Sequence, residues 1–263
     1  TSVEFAEHKE YSPGDDVRHL DWRAYARFDR DFIKRFEDET ALRALVVVDT
    51  SGTMGYPPTP SDRLSKLDYA KTAAGALAFV LARQGDAAGL ATFSERLQVR
   101  VPARARRGQL QELLGLLAGL TAAGPTRLDQ TLDALTQGLS KRTVIVLFSD
   151  LLDGGLEALP ILARLRARRH DVIVFHTLDP DELEFPFEDS TLFTSMEAEE
   201  ELQIDAREIR SAYLEEMTRF CAEAEAACRR ARVEYRLART DLPPGRLLAR
   251  FIAARARARS LAR

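Results

Sequence analysis

Apolar and polar residues alternate along the chain in blocks that predict strands and amphipathic helices in turn. The first clear strand is the Val-rich run Ala44–Val48, which is typical of a strand buried on both faces of a parallel sheet. Leu64–Arg83 follows with apolar residues at helical spacing, and Gly85 ends the helix. This alternation predicts a doubly wound α/β fold, in which helices cover both faces of a mostly parallel sheet.

The same pattern continues toward the end of the chain. Further strands are predicted at 87–93, 98–101, 144–148, 172–177 and 233–237, with a hairpin turn at 94–96. Further helices are predicted at 110–120, 128–139, 157–169, 206–231 and 245–258.

Two segments lack this periodicity. Residues 1–43 are polar and rich in charges of both signs, whereas 179–205 is acidic and rich in Phe. We therefore predict an N-terminal arm at 1–43 and an α/β domain at 44–263 that carries an insertion at about 179–205. We expect part of the insertion to pack on the domain through four apolar side chains, Phe185, Phe187, Leu192 and Phe193.

Composition narrows the class of function. Of the 263 residues, 45% are hydrophobic and 30% are charged, and the net charge of -3 gives no argument for nucleic acid or a membrane surface as partner. No apolar run approaches the roughly 20 residues of a spanning helix, and no signal peptide precedes Glu4. We therefore expect a cytoplasmic location, no membrane insertion and no nucleic-acid partner. Cys221 and Cys228 lie about 10 Å apart along one helix, too far for a disulfide.

The end of the first strand carries the oxygen atoms of a candidate cation site. Asp49, Ser51 and Thr53 follow the strand directly, and Gly52 lets the backbone turn tightly between them. One carboxylate and two hydroxyls at alternate positions suit a hard cation. An ordinary strand-to-helix turn, with Ser51 or Thr53 as the helix cap, explains the same residues equally well.

A later strand and a loop bring further oxygen atoms to the same edge of the sheet. The strand at 144–148 is followed by Ser149 and Asp150. In a right-handed doubly wound sheet, the loops after the first and fourth strands can be neighbours where the strand order reverses, and the loop carrying Thr126 can lie beside them. We therefore expect five side chains to meet around one cation, and these form the candidate metal site: Asp49, Ser51, Thr53, Thr126 and Asp150.

The candidate metal site resembles the metal-ion-dependent adhesion site of the von Willebrand factor A family. That site has the pattern Asp-x-Ser-x-Ser, then a distant Thr and a distant Asp. Thr53 stands where the family usually has Ser, which keeps the hydroxyl and adds a methyl group. Our hypothesis is that the three hydroxyls contact Mg²⁺, or Mn²⁺ or Ca²⁺, while Asp49 and Asp150 act largely through water. One position of the shell is then open to an Asp or Glu of a partner.

The arm carries a longer resemblance. The run from Glu4 to Arg23, EFAEHKEYSPGDDVRHLDWR, followed by Tyr25-Ala26-Arg27, looks like the signature of the bacterial family called domain of unknown function 58. The resemblance extends to Thr240-Asp241-Leu242-Pro243. It implies a von Willebrand A-like core with a family-specific arm. It also implies an adaptor or chaperone that works with a MoxR-type AAA+ ATPase in assembling or activating a client protein.

Three residues of the arm are candidates for contact with a partner. Arg18, Trp22 and Arg23 lie among acidic residues, so a local network of ion pairs that pins the arm explains them as well. Trp and Arg are over-represented at binding hot spots. We therefore keep Arg18, Trp22 and Arg23 as candidate partner-binding residues.

A phosphotransferase is the alternative to a binding module. The run from Asp49 to Thr53 also resembles the phosphorylation motif of haloacid dehalogenase-like enzymes, in which Asp49 would form an aspartyl phosphate. The charge-neutralising lysine and the metal acids would then be Lys141, Asp150 and Asp153. Soluble members usually have a second Asp two residues after the nucleophile, where this chain has Ser51. We therefore favour a metal-dependent protein-binding module that is not an enzyme.

Overall fold

The computed structural model describes residues 3–10, 32–38, 42–57, 62–139, 141–152, 154–196 and 201–249. The chain forms two compact units, Thr1–Ala41 and Leu42–Arg263. In the first unit, β1 (Val3–Glu10) pairs antiparallel with β2 (Phe32–Asp38). The sequence pattern did not predict this hairpin, because charged residues occupy about half of the positions in the two strands and leave no sustained period of two.

The second unit alternates strands and helices as predicted. Its described strands are β3 (Arg43–Asp49), β4 (Ala87–Phe93), β5 (Leu97–Arg104), β6 (Val144–Ser149), β7 (Asp171–Leu178), β8 (Ser190–Thr194), β9 (Glu201–Asp205) and β10 (Glu234–Arg239). Its described helices are α1 (Lys66–Arg83), α2 (Gln109–Ala118), α3 (Leu128–Gly138), α4 (Gly155–Ala167), α5 (Pro180–Glu184) and α6 (Ala206–Arg230), and residues 244–249 are also helical.

Six strands form the central sheet, in the order β10-β7-β6-β3-β4-β5. Every neighbouring pair is parallel except the hairpin of β4 and β5. The strand order reverses between β3 and β6, and the predicted doubly wound α/β fold is therefore confirmed. In sheets of this kind, ligands bind outside the carboxyl ends of the strands at this reversal point.

Alternate side chains of β3 enter two hydrophobic cores, one on each face of the sheet. Val46 and Val48 pack in the core that contains α1 and α2, whereas Leu45 and Val47 pack in the core that contains α3 and α4. Each fully buried Val or Leu contributes about 1.5–3 kcal/mol to the free energy of unfolding. Because both faces are covered, the strand is apolar at consecutive positions rather than at every second one.

The insertion contains more regular structure than its sequence pattern predicts. It forms α5 and the antiparallel hairpin of β8 and β9. Phe185 is buried, and its ring packs against the rings of Phe187, Phe193 and Tyr213. The expectation for Leu192 is wrong, because its side chain is 56% exposed. It neighbours Phe193 on β8, and successive side chains of a strand point to opposite faces.

Gly89 generates a test of the hairpin at the edge of the central sheet. It lies in β4 at an irregular step in the pairing with β5, where an added Cβ would lie 2.6 Å from Ala103 N and from Val101 O. Gly89→Ala is therefore expected to lower the free energy of unfolding by about 1–3 kcal/mol, measured by urea denaturation. Gly115→Ala is the control. It adds a methyl group to open space within α2 and should stabilise the protein by about 0.5–1 kcal/mol. Equal unfolding midpoints for the two variants would contradict the close approach at Gly89.

Candidate functional site

The end of β3 places one carboxylate and two hydroxyls at the reversal point. After Asp49 the chain turns through a short 3-10 helix at Gly52–Gly55. Ser51 N–H donates to Asp49 Oδ1 at 2.9 Å, and Ser51 Oγ lies 3.3 Å from Thr53 Oγ1. Ser51 precedes the 3-10 helix without making a side-chain capping bond, so a helix cap does not account for its hydroxyl.

β6 brings a second carboxylate beside the first. Ser149 Oγ donates to Asp49 Oδ2 at 2.6 Å, and Leu152 N–H donates to Asp150 Oδ1 at 3.2 Å. The Thr53 hydroxyl also interacts with Asp150 and helps to lower the pKa of this carboxyl group. The carboxylates are neighbours because β3 and β6 pair in parallel register and so end at the same edge of the sheet.

The electrostatics of the two carboxylates differ. Burial raises the pKa of Asp49 to about 7, and the charge of Asp150 adds to this shift against the hydrogen bonds from Ser149 and Ser51. Burial alone would also raise the pKa of Asp150, but its contacts with Lys66 and Thr53 outweigh burial and lower it. A cation close to Asp49 would favour its ionised form and offset the cost of burying it.

The loop before α3 lies against the turn that follows β3. Gly52 N–H donates to Gly124 O at 2.8 Å, and Ala123 N–H donates to Thr50 O at 2.9 Å. Thr126 follows two residues after Gly124 and is buried, and its Oγ1 has no hydrogen-bond partner within the described part of the chain. A buried hydroxyl without a partner costs about 1–3 kcal/mol, so this atom fits a ligand that the protein itself does not supply.

The donor set therefore suits a hard divalent cation. Hydrogen bonds connect Asp49, Ser51 and Thr53, and two backbone hydrogen bonds hold the loop that carries Thr126 against the turn that contains them. Two carboxylates and three hydroxyls are oxygen donors of the kind Mg²⁺ takes. No group of three or more His, Cys, Asp or Glu among the described residues is placed to hold a metal. A site here would thus depend on the hydroxyl oxygens.

A buried lysine, which the sequence analysis missed, lies in the same site. Lys66 begins α1, and its Nζ lies 2.7 Å from Asp150 Oδ2 and 2.5 Å from Glu182 Oε1. Burial alone would lower the pKa of Lys66, but the two carboxylates outweigh it and raise the pKa. One sequence signal was present. A lysine in the first turn of a helix opposes the helix dipole and therefore needs a local cause.

Glu182 reaches the lysine from the segment after β7. Its Oε2 accepts Asp179 N–H at 2.7 Å, and Asp179 Oδ1 accepts Asp181 N–H at 3.0 Å, so the two residues form a capping box for α5. Thr240 Oγ1 donates to Asp179 Oδ2 at 2.6 Å. Burial raises the pKa of Glu182, although the charge of Lys66 opposes this shift. The segment after β7 therefore holds Glu182, the second carboxylate that contacts the ammonium of Lys66.

The structure corrects the lysine that the phosphotransferase alternative assigned to the site. Lys141 precedes β6 and Asp150 follows it, so a strand of six residues, about 20 Å long, separates the two. Lys66 is the lysine in contact with the site, and it pairs with Asp150 rather than with Asp49. Asp49 is buried with both oxygens accepting hydrogen bonds, which is not the arrangement of an exposed nucleophile. Asp153 lies outside the described residues.

His176 supports the backbone of the site. Its Nε2 donates to Asp150 O at 2.8 Å, and its Nδ1 accepts the hydroxyl of Tyr235 at 2.8 Å. Burial lowers the pKa of His176 to about 4, against the opposing interactions with Asp150. The imidazole is therefore neutral at pH 7 and holds the residue that begins the loop after β6.

Two further predictions concern the surroundings of the site. The candidate partner-binding residues Arg18, Trp22 and Arg23 lie outside the described residues, so their role stays a prediction. Within the described ranges, no helix combines the length and the apolar character that crossing a membrane requires.

Comparison with known proteins identifies the family. Residues 7–223 match the family described as "Protein of unknown function DUF58". The chain belongs to this family. Over 179 residues, the DUF58 chain is 31% identical to the uncharacterized protein Mb1516 of Mycobacterium bovis, an alignment that covers 67% of this chain and 55% of that protein. It thus spans about half the length of this relative.

Solved structures agree with the fold. The DUF58 chain is similar to the conserved hypothetical protein BatB from Bacteroides thetaiotaomicron, with a TM-score of 0.52 and 12% identity over 82% of this chain and 100% of that one. It is also similar to an aerotolerance-related membrane protein from Bacteroides fragilis, with a TM-score of 0.51 and 16% identity over 80% and 96% of the two chains. At these identities the likeness shows the fold alone. The family and the doubly wound α/β fold expected from the sequence are confirmed.

The buried histidine generates a prediction of pH dependence. Above pH 6.5, the ordinary pKa of His, His176 is neutral in both the folded and the unfolded chain, and its full contribution to the free energy of unfolding is present. Between pH 6.5 and about 4, only the unfolded chain takes up the proton, so the free energy of unfolding falls as the pH falls, by up to about 1.4 kcal/mol per pH unit. In His176→Gln the part of this fall that comes from His176 should vanish. Urea denaturation at several pH values measures the free energy of unfolding of the wild type and the variant. Identical slopes for wild type and variant in this window would contradict the assignment.

Proposed function

We propose that this DUF58 chain is a metal-dependent protein-binding module whose site lies at the reversal point of the sheet. The observation that supports the proposal is the buried hydroxyl of Thr126, which has no partner among the described residues and belongs to a loop whose backbone contacts the turn after Asp49. Ser51, Thr53 and Thr126 would hold Mg²⁺ directly, with Mn²⁺ or Ca²⁺ as alternatives. Asp49 and Asp150 would act largely through water.

The proposed ligand of the site is a carboxylate of another protein. When bound, Mg²⁺ supplies an electrophilic centre that attracts an anionic oxygen, and it usually keeps several exchangeable positions in its shell. Asp49 stays engaged with Ser51 and Ser149, and Asp150 shares its charge with Lys66. Because the protein contributes so little unshared negative charge, an Asp or Glu of a client protein is a suitable ligand for the open position.

We further propose that the chain acts as an adaptor or chaperone-like partner of a MoxR-type AAA+ ATPase. This role follows from the family resemblance and applies to the region that this chain represents. The sequence carries no Gly-rich phosphate loop, so ATP hydrolysis would belong to the partner. Such a partnership would take place where ATP is available, in the cytoplasm.

Binding rather than catalysis is the better proposal for Asp49. An aspartyl nucleophile must approach a phosphoryl group, whereas Asp49 is buried and both of its oxygens accept hydrogen bonds from protein groups. The second acid that soluble phosphotransferases usually carry is replaced by Ser51.

Metal binding tests the proposed site. In isothermal titration calorimetry with Mg²⁺ or Mn²⁺, Thr126→Ala should bind at least tenfold more weakly than the wild type, a loss of about 1.4 kcal/mol. The reason is that the variant lacks a hydroxyl that the protein leaves unpaired. Thr131→Ala is the matched control. It removes another buried hydroxyl without a hydrogen-bond partner among the described residues, inside α3 and outside the proposed ligand set. Equal affinities for wild type and Thr126→Ala would refute the five-residue site.

Partner binding tests the role of the metal. Ser51→Ala should weaken the binding of both the metal and a MoxR-type ATPase with its client, because the same hydroxyl would hold the ion that the client carboxylate contacts. Surface plasmon resonance with saturating Mg²⁺ and with EDTA measures the effect, and Thr131→Ala again serves as the control. Partner affinity that is unchanged in Ser51→Ala and insensitive to EDTA would rule out a metal-mediated contact.

A further inference from the structure

Lys66 brings a fixed positive charge into the candidate metal site. Its side chain has no exposed surface, and its ammonium lies 2.7 Å from Asp150 Oδ2. Asp150 Oδ1 already accepts Leu152 N–H. Both oxygens of this proposed metal-site carboxylate are therefore engaged by protein groups, and one of the groups is a cation.

A divalent ion and the ammonium would compete for the same carboxylate. Two like charges a few ångströms apart repel strongly where little water screens them. Asp49 and Asp150 are both buried, so the site offers little such screening. The charge that keeps Asp150 ionised without a metal must therefore weaken the binding of a metal.

Glu182 provides a second anionic partner for the ammonium. Its Oε1 lies 2.5 Å from Lys66 Nζ, and its Oε2 is anchored by the backbone N–H of Asp179. The ammonium can thus remain paired with Glu182 when Asp150 turns toward a metal ion. Asp150, which would act on the metal largely through water, and Glu182, which would retain the lysine, come from different strand ends.

We propose, resting on the proposed metal site, that Lys66 is a tethered cation that competes with the divalent metal for Asp150 and so sets the metal affinity of the site. Glu182 holds the ammonium when the metal is bound. Without metal, Lys66 neutralises the buried carboxylate and lets the domain stay folded. Lys66 thus sets the metal affinity of the site. With Lys66 present the domain stays folded without metal, whereas a variant without Lys66 depends on a divalent ion for its stability.

The test is the metal affinity of Lys66→Met in the full chain, measured by calorimetry with Mg²⁺ and Mn²⁺. Removing the ammonium should tighten binding at least tenfold, and Mg²⁺ should raise the melting temperature of the variant more than that of the wild type. Lys71→Met is the matched control. Lys71 lies in the same helix, pairs with Asp68 at 2.9 Å and does not contact the site residues in the described structure, so this variant should bind metal as the wild type does.

A double variant keeps the test decisive if Lys66→Met is too unstable without metal. Lys66→Met combined with Glu182→Gln removes the ammonium together with the second carboxylate that it neutralises. The double variant should also bind Mg²⁺ at least tenfold more tightly than the wild type. Adding Thr126→Ala to the double variant should remove this gain, because the metal would then lack its unpaired hydroxyl ligand.

The outcomes separate this inference from the proposed function. If wild type binds metal and Thr126→Ala does not, but removing Lys66 leaves affinity unchanged or weaker, the competition is wrong and the metal site stands. If the wild type shows no binding and the Lys66 variants bind, the ammonium excludes the metal and the competition is supported. If no folded variant binds Mg²⁺ or Mn²⁺, both proposals fail. Unfolding of both Lys66 variants at every Mg²⁺ concentration also overturns the inference, because a divalent ion then fails to replace the ammonium.

Discussion

The parallel pairing of β3 with β6 is the constraint on which the rest of the site depends. Parallel strands in register end at the same edge of a sheet, and here Asp49 is the last residue of β3 while Asp150 directly follows β6. The pairing therefore brings Asp49 and Asp150 together as buried residues at the carboxyl edge of the sheet. Hydrophobic burial of β3 and β6 on both faces stabilises the pairing, so the apolar core supplies the free energy that holds the two carboxylates together.

Once the carboxylates are together, the surrounding groups must compensate their charge. The structure uses two means. Asp49 accepts hydrogen bonds from a backbone N–H and a serine hydroxyl, whereas Asp150 pairs with the ammonium of Lys66 from α1. The difference explains why the pKa of Asp49 rises while that of Asp150 falls, although both are equally buried. A buried ion pair that lost one partner would leave an uncompensated charge at a cost of about 3–5 kcal/mol.

The sequence was sufficient to predict features that depend on local pattern. The Val-rich strand before Asp49 follows from a continuous apolar run, and the helix after it follows from apolar residues at a period of 3.6. The order of strands and helices follows from the alternation of these two patterns. The contact between Lys66 and Glu182 could not be predicted in this way, because it joins positions 116 residues apart and no period links them. The hairpin of β8 and β9 was missed for a related reason, since its short strands expose most of their side chains and lack a sustained apolar face.

The segment from Asp179 to Phe185 belongs to two parts of the molecule at once. At one end Glu182 contacts the lysine of the site, and at the other Phe185 packs under the hairpin and against Tyr213 of α6. In evolutionary terms the insertion is not one exchangeable module. We expect substitutions in its first seven residues to be limited by the charge balance of the domain, and the exposed hairpin beyond them to accept changes in length and composition.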